Sequence, residues 1–275
     1  MKRKWLLAAA ISIAVAFAGA ARAFPGGGPP MRGPFIDALR QLDLSDAQRR
    51  AIRKVVIDHR GAFRGQRGRL HAGIERFIAL NPQSANYSSE VQEFADDAAT
   101  AVQKHFPALA DMQAQIYEVL RADQRAQLGG LIRNARRPDV PSGPQGDEGA
   151  VEDGRGGMQQ WMMPMIDELE LSEEQQARIR QILLQQRAQM QADGEAMREH
   201  LAQFASLPPD VADRPARLDA LQKMFSEDAR QRVLQMADTR ARIDAELNEA
   251  QRQQLAAMAR GRLDHGHPER FGPRR

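Results

Sequence analysis

A leucine followed four places later by a glutamine occurs at Leu44/Gln48, Leu120/Gln124, Leu171/Gln175 and Leu247/Gln251, in the stretches LDLSDAQRRAI, VLRADQRAQL, LELSEEQQARI and ELNEAQRQQL. The spacing constrains the fold more than the motif does. Gln48 and Gln124 are 76 positions apart, as are Gln175 and Gln251, so a single offset of 127 carries the first pair onto the second. The same offset carries Ile52 onto Ile179, Arg53 onto Arg180, Val56 onto Leu183, Arg60 onto Arg187, Phe63 onto Met190, Leu70 onto Met197, Phe77 onto Phe204, Pro82 onto Pro209 and Ile116 onto Ile243. A register held over that length reads as a tandem duplication.

Within each copy the apolar residues recur at helical spacing. Ile52, Val56, Phe63, Leu70, Ile74 and Phe77 form one stripe; Val91, Phe94, Ala98, Val102, Leu109, Met112, Ile116 and Val119 form another. No alternating run competes, so the expected class is all-α. Pro82 and Pro209 break the helices at ALNPQ and SLPPD, which predicts a short, a long, a second long and a final short helix in each copy. Pro107 falls inside the third helix of the first copy and is expected to kink it; the second copy has Leu234 there.

The motif itself reads as a helix start. Ser45 and Gln48 fit a capping box, as do Ser172 with Gln175 and Asn248 with Gln251, whereas Arg121 has no side-chain acceptor with which to cap. The leucine has no apolar partner at the fourth helical position, where Arg49, Arg125, Gln176 and Arg252 stand. It must therefore pack on another helix, which predicts that each motif pins a helix start to the bundle and that the two motifs of a copy meet.

The chain opens MKRK, runs uncharged from Trp5 to Ala21 and reaches ARAF, the pattern of a secretory signal peptide cut after Ala23. Removing Lys2, Arg3, Lys4 and Arg22 from the 39 basic residues leaves 35 against 36 acidic ones, so the basic balance of the full chain is no argument for nucleic acid. Cysteine is absent, which leaves helix packing to hold the fold and excludes thiol chemistry. The expected organisation is a signal peptide over 1–23 and a flexible segment over 24–33. The first helical repeat then spans 34–137, a Pro/Gly-rich acidic linker 138–157, the second repeat 158–262 and a flexible tail 263–275.

A cysteine-free, all-helical, exported chain with paired Leu-Ser/Thr-x-x-Gln motifs resembles the periplasmic Spy/CpxP family, including its ZraP-type relatives. The resemblance rests on Leu44, Ser45, Gln48, Leu120, Gln124, Leu171, Ser172, Gln175, Leu247, Asn248 and Gln251, and spans about Pro34 to Arg137 and Trp161 to Arg262. It implies a cradle-like helical pair that binds unfolded or aggregation-prone proteins without ATP in envelope stress. Two fused copies suggest that the pair forms within one chain, as an intrachain pseudo-dimer, or that the chain forms a homodimer.

A surface of that kind needs apolar groups beside positive charge. Arg53, Arg60 and Arg67 flank Val56, Phe63 and Leu70 at three or four positions, and between Arg49 and Arg76 nine basic residues face only Asp58 and Glu75. The second copy keeps Arg180 and Arg187 but has Gly194 in place of Arg67, so the first copy is the better expected client surface. The plainer alternative is that the stripe is core and the arginines an ordinary solvated flank.

His59 and His105 lie on or near apolar stripes and read as hydrogen-bonded or half-buried histidines, while His265 and His267 make a weak terminal pair. Met158, Met162, Met163 and Met165 read as adaptable apolar residues opening the second copy. Phosphate-loop, nucleophile-elbow and H-E-x-x-H patterns are missing, so no catalytic residue, metal site or cofactor is expected. The leading expectation is an ATP-independent periplasmic chaperone-like protein. The alternatives are a zinc- or copper-responsive sensor or buffer, and a regulator that docks on the periplasmic domain of a sensor kinase.

Overall fold

The computed structural model describes residues 34–63, 66–134, 166 and 168–265. The expected signal peptide, acidic linker, methionine-rich stretch and terminal tail lie outside these residues. Every regular element described is helical: α1 Pro34–Gln41, α2 Asp46–His59, a 3-10 turn Arg60–Phe63, α3 Gln66–Ala79, α4 Tyr87–Val119, α5 Ala122–Arg133, α6 Glu173–Ala205, α7 Arg214–Glu246 and α8 Glu249–His265. The helix starts keep the offset of 127, Asp46 to Glu173, Tyr87 to Arg214 and Ala122 to Glu249, and α4 and α7 are both 33 residues long.

One expectation is corrected. The first long helix of the first half is not continuous: α2 ends at His59, the 3-10 turn follows, and helix resumes at Gln66. Gly61 and Gly65 fall in this stretch, where the second half has Ala188 and Ala192. Each glycine costs a helix interior about 1 kcal/mol relative to alanine. No side chain packs near the Gly61 Cα to offset that cost. The corresponding helix α6 runs unbroken for 33 residues.

Helix α4 also runs unbroken through Pro107. Proline at position 107 removes the N–H that would bond the carbonyl of Gln103. That carbonyl accepts instead from Gln222 Nε2 of α7, at 2.9 Å.

The two halves pack into each other through α4 and α7. Tyr87 Oη donates to the Ala237 carbonyl, Arg230 reaches Gln92 and Asp96, and Arg214 reaches the Ala110 carbonyl, a succession that makes the two helices antiparallel. Phe106 of α4 sits 5.4 Å from Phe204 of α6 and 6.0 Å from Phe225 of α7, ring centre to ring centre. One core cluster therefore holds Leu44, Ile52, Val56, Phe77, Phe94, Phe106 and Ile116 together with Leu201, Phe204, Phe225 and Val233. A second cluster, Ile166, Leu169, Ile179, Leu183, Ile243 and Leu247, closes the far end of the second half. The side chain of Gly129 is missing for a reason: a Cβ there would lie 2.4 Å from Ser206 Oγ, so α5 approaches the end of α6 closely.

Candidate functional site

The four motifs build two end locks. In the first half Gln48 Nε2 donates to the Val119 carbonyl at 2.9 Å and to Gln124 Oε1 at 2.7 Å, while Gln124 Nε2 donates to the Asp43 carbonyl at 2.6 Å. In the second half Gln175 Nε2 donates to the Glu246 carbonyl at 2.6 Å and to Gln251 Oε1 at 2.9 Å, while Gln251 Nε2 donates to the Glu170 carbonyl at 2.7 Å. The motifs of each half meet, as the unpartnered leucine required.

The same amide also caps its own helix. Ser45 N–H donates to Gln48 Oε1 and Gln48 N–H to Ser45 Oγ, with matching pairs at Ser172/Gln175 and Asn248/Gln251. At the remaining corner only half of this forms: Arg121 N–H donates to Gln124 Oε1, and the arginine head turns to Asp123. Glutamine is needed because its oxygen serves one helix and its nitrogen the opposite chain; glutamate lacks the donor and asparagine the reach. Leu44, Leu120 and Leu247 are buried behind the locks, and Leu171 is half-buried.

These locks fix the rotation of α2 and α6, and so decide which residues face water. Val56 and Phe63, expected on the client surface, are 3% and 8% exposed and belong to the core. The expectation is corrected here, because Val56 joins the core cluster and the Phe63 ring lies tilted against the His105 ring of α4, 6.1 Å centre to centre. The side chains of Arg60, Arg67 and Leu70 lie outside the described residues. Arg53 is half-buried, and Arg180 and Arg187 are exposed.

The wet apolar positions are one step further round. Ile57 is 53% exposed and Leu184 59%, and no other large apolar residue described is exposed. They are equivalent positions, 127 apart. A helix turns about 100° per residue, so the residue after the core positions Val56 and Leu183 points away from the core. Arg53 precedes Ile57 by four and Arg60 follows it by three; Arg180 and Arg187 bear the same relation to Leu184. In the second half Leu184 thus stands between two exposed arginines on one helical face, and the first half repeats the spacing in its sequence. The sequence pairs these arginines with Val56, Phe63 and Leu70, of which Val56 and Phe63 are buried. The missed signal was the conserved spacing of a large apolar residue just off the stripe in both copies.

Elsewhere the stripe differs between the halves. Met190 and Met197, which stand where the first half has Phe63 and Leu70, are half-buried. The second half is therefore the more open of the two at the waist, although its basic excess is the weaker.

The three histidines with described side chains pack or pair within the fold. His59 Nδ1 lies 2.8 Å from the Val55 carbonyl and its Nε2 2.8 Å from Asp111, whose carboxyl this hydrogen bond holds below its ordinary range. His105 is buried against Phe63, and His200 pairs with Asp228 at 2.7 Å. No group of three metal-ligating side chains converges among the described residues, and none of the described helices is long and apolar enough to cross a membrane.

No family model, curated protein or solved structure matches the chain.

Proposed function

We propose that this chain is an ATP-independent, chaperone-like protein of the bacterial envelope, built from two Spy/CpxP-like modules fused in tandem, that holds unfolded or aggregation-prone segments on the outer faces of α2 and α6. The observation that carries this reading is the recurrence of an exposed branched residue between two arginines at Ile57 and Leu184. One exposed leucine on a protein surface is ordinary. Two at equivalent positions, each with arginines four before and three after, make a repeated binding element.

The chemistry suits loose capture. Covering the exposed half of one such side chain contributes about 1 kcal/mol, and a guanidinium beside it adds a few tenths with an acidic or carbonyl-rich segment. One patch therefore holds a segment weakly, and two patches on one chain raise the effective affinity by multivalency without making release slow. No nucleotide is needed for release.

The test is suppression of aggregation of a reduced or heat-unfolded client by the mature protein without ATP. Ile57→Glu combined with Leu184→Glu should lower protection at least about fivefold, with helicity and thermal midpoint unchanged, because surface substitutions of this kind cost little stability. Either single variant should lose roughly half the effect. Full protection by the double variant would exclude these patches, and a lack of protection by the unaltered protein would exclude the chaperone reading.

A further inference from the structure

The inter-half contact ends in two equivalent corners, where one half closes the turn of the other. In the first corner Arg240 of α7 donates to the carbonyls of Phe77, Ile78 and Leu80 at the end of α3, and Tyr87 Oη donates back to the Ala237 carbonyl at 2.9 Å. In the second corner Gln113 of α4 donates to the carbonyls of Ala205 and Leu207 at the end of α6, at 3.1 and 3.0 Å. Arg214 there donates to the carbonyls of Leu207, Pro208 and Ala110 and to Gln113 Oε1, each at 3.1 Å. Position 113 corresponds to 240, 87 to 214 and 110 to 237 at the offset of 127.

Both corners perform the same task, satisfying the last carbonyls of a helix that has no further turn to donate to them. Both hold a single guanidinium. The first corner takes it from the crossing helix and sets a phenol opposite; the second takes it from the helix start and sets an amide opposite. The site is closely packed in each case, with Gln113 buried and Tyr87, Arg214 and Arg240 half-buried. Burial pushes the Tyr87 phenol above its ordinary range.

We infer that the two halves select each other, and that this surface takes as its partner the opposite half, from the same chain or a second copy, and rejects its own kind. A pairing of two second halves would place Arg214 and Arg240 in every corner, two guanidinium groups competing for the same carbonyls in a half-buried site where like charges repel. A pairing of two first halves would place Tyr87 and Gln113 in every corner, with no cation and too few donors for the carbonyls that the guanidinium of Arg240 or Arg214 now serves. Only the mixed pair gives one cation and one neutral partner at both ends. Swapping of halves between two chains preserves this rule, since each corner still receives one residue set from each half.

The test exchanges one corner into the form of the other in the full mature chain, carrying a protease site in the 138–157 linker and then nicked there. Gln113→Arg alone puts two guanidinium groups in the second corner and should weaken the association of the nicked halves about 100-fold, read by size exclusion on dilution. Adding Arg214→Tyr gives that corner the residues of the first and should restore association to within about tenfold of the original. Arg240→Gln, which leaves the first corner without a cation, should fall between. If a nicked variant does not stay folded, the thermal midpoint of the intact chain must follow the same order. A double variant no better than Gln113→Arg, or a Gln113→Arg chain as tight as the original, would overturn the inference.

Discussion

The two halves carry the same end lock but are filled differently at the waist. In the first, Ile52, Val56, Phe63 and Phe77 of the described α2–α3 residues all belong to one core. In the second, no residue of α6 from Arg187 to His200 is buried, and the core divides into a cluster behind the lock and a part shared with the first half. The facing helices explain it: Phe63, Phe106, Leu109 and Met112 correspond to Met190, Val233, Met236 and Thr239, which are smaller, more flexible or polar. Backbone capping by glutamine holds register at the ends of a helix pair whatever fills the middle, so the middle is free to diverge.

The largest test of this contrast is truncation at the waist. Phe63→Ala should cost about 3 kcal/mol or more, a fall in thermal midpoint of about 10 °C. Met190→Ala should cost under about 1 kcal/mol, since that side chain is only half-buried. Equal losses in urea unfolding would show that the two waists are filled alike.

A lesser effect is expected at the locks. Gln124→Ala and Gln251→Ala each strand carbonyls and an amide that are shielded from water, at about 2 kcal/mol. The outcomes should differ in extent: Gln124 backs onto the common core, so its loss lowers the global midpoint. Loss of Gln251 should release amide protection in α8 and the start of α6 first, because the cluster there is separate. Uniform loss of hydrogen-exchange protection in the Gln251 variant would contradict a divided core.

The smallest effect is on the acid limb. Asp111 is depressed in the folded state, chiefly by its hydrogen bond from His59, so the stability it contributes is full above the ordinary aspartate range and is lost as pH falls through the lowered value. The carboxylate is largely exposed, and screening limits the effect to a few tenths of a kcal/mol. Asp111→Asn should flatten the acid limb of a stability profile by that amount. Asp238→Asn should do less, since Gln186 stands where the first half has His59. The reverse order would place the acid sensitivity in the wrong half.

Much of this was legible in the sequence, for definite reasons. The helical class and the element starts follow from apolar period and offset, and the meeting of the motifs follows from a leucine with no local partner. What was missed depends on rotation and on contacts between halves. A stripe tells which residues are apolar but not which of two neighbours faces water: Val56 is buried and Ile57 exposed. The break after His59 is written in Gly61 and Gly65, whose summed helix cost outweighs a good apolar period. Gln113, Arg214 and Arg240 gave no sequence signal at all, since a polar residue on an otherwise apolar helix reads as solvated until the opposing turn is known.

The bond from Gln222 to the Gln103 carbonyl has a bearing on how the chain comes into being. Gln222 is made well over a hundred residues after Gln103, a lag on the order of ten seconds at ordinary translation speeds. Throughout that lag α4 has one backbone acceptor without its eventual donor, and Phe106 lacks the Phe225 ring. The first-made half thus waits, incompletely sealed, for the second, and the emerging polypeptide is itself a temporary example of exposed, unfinished chain.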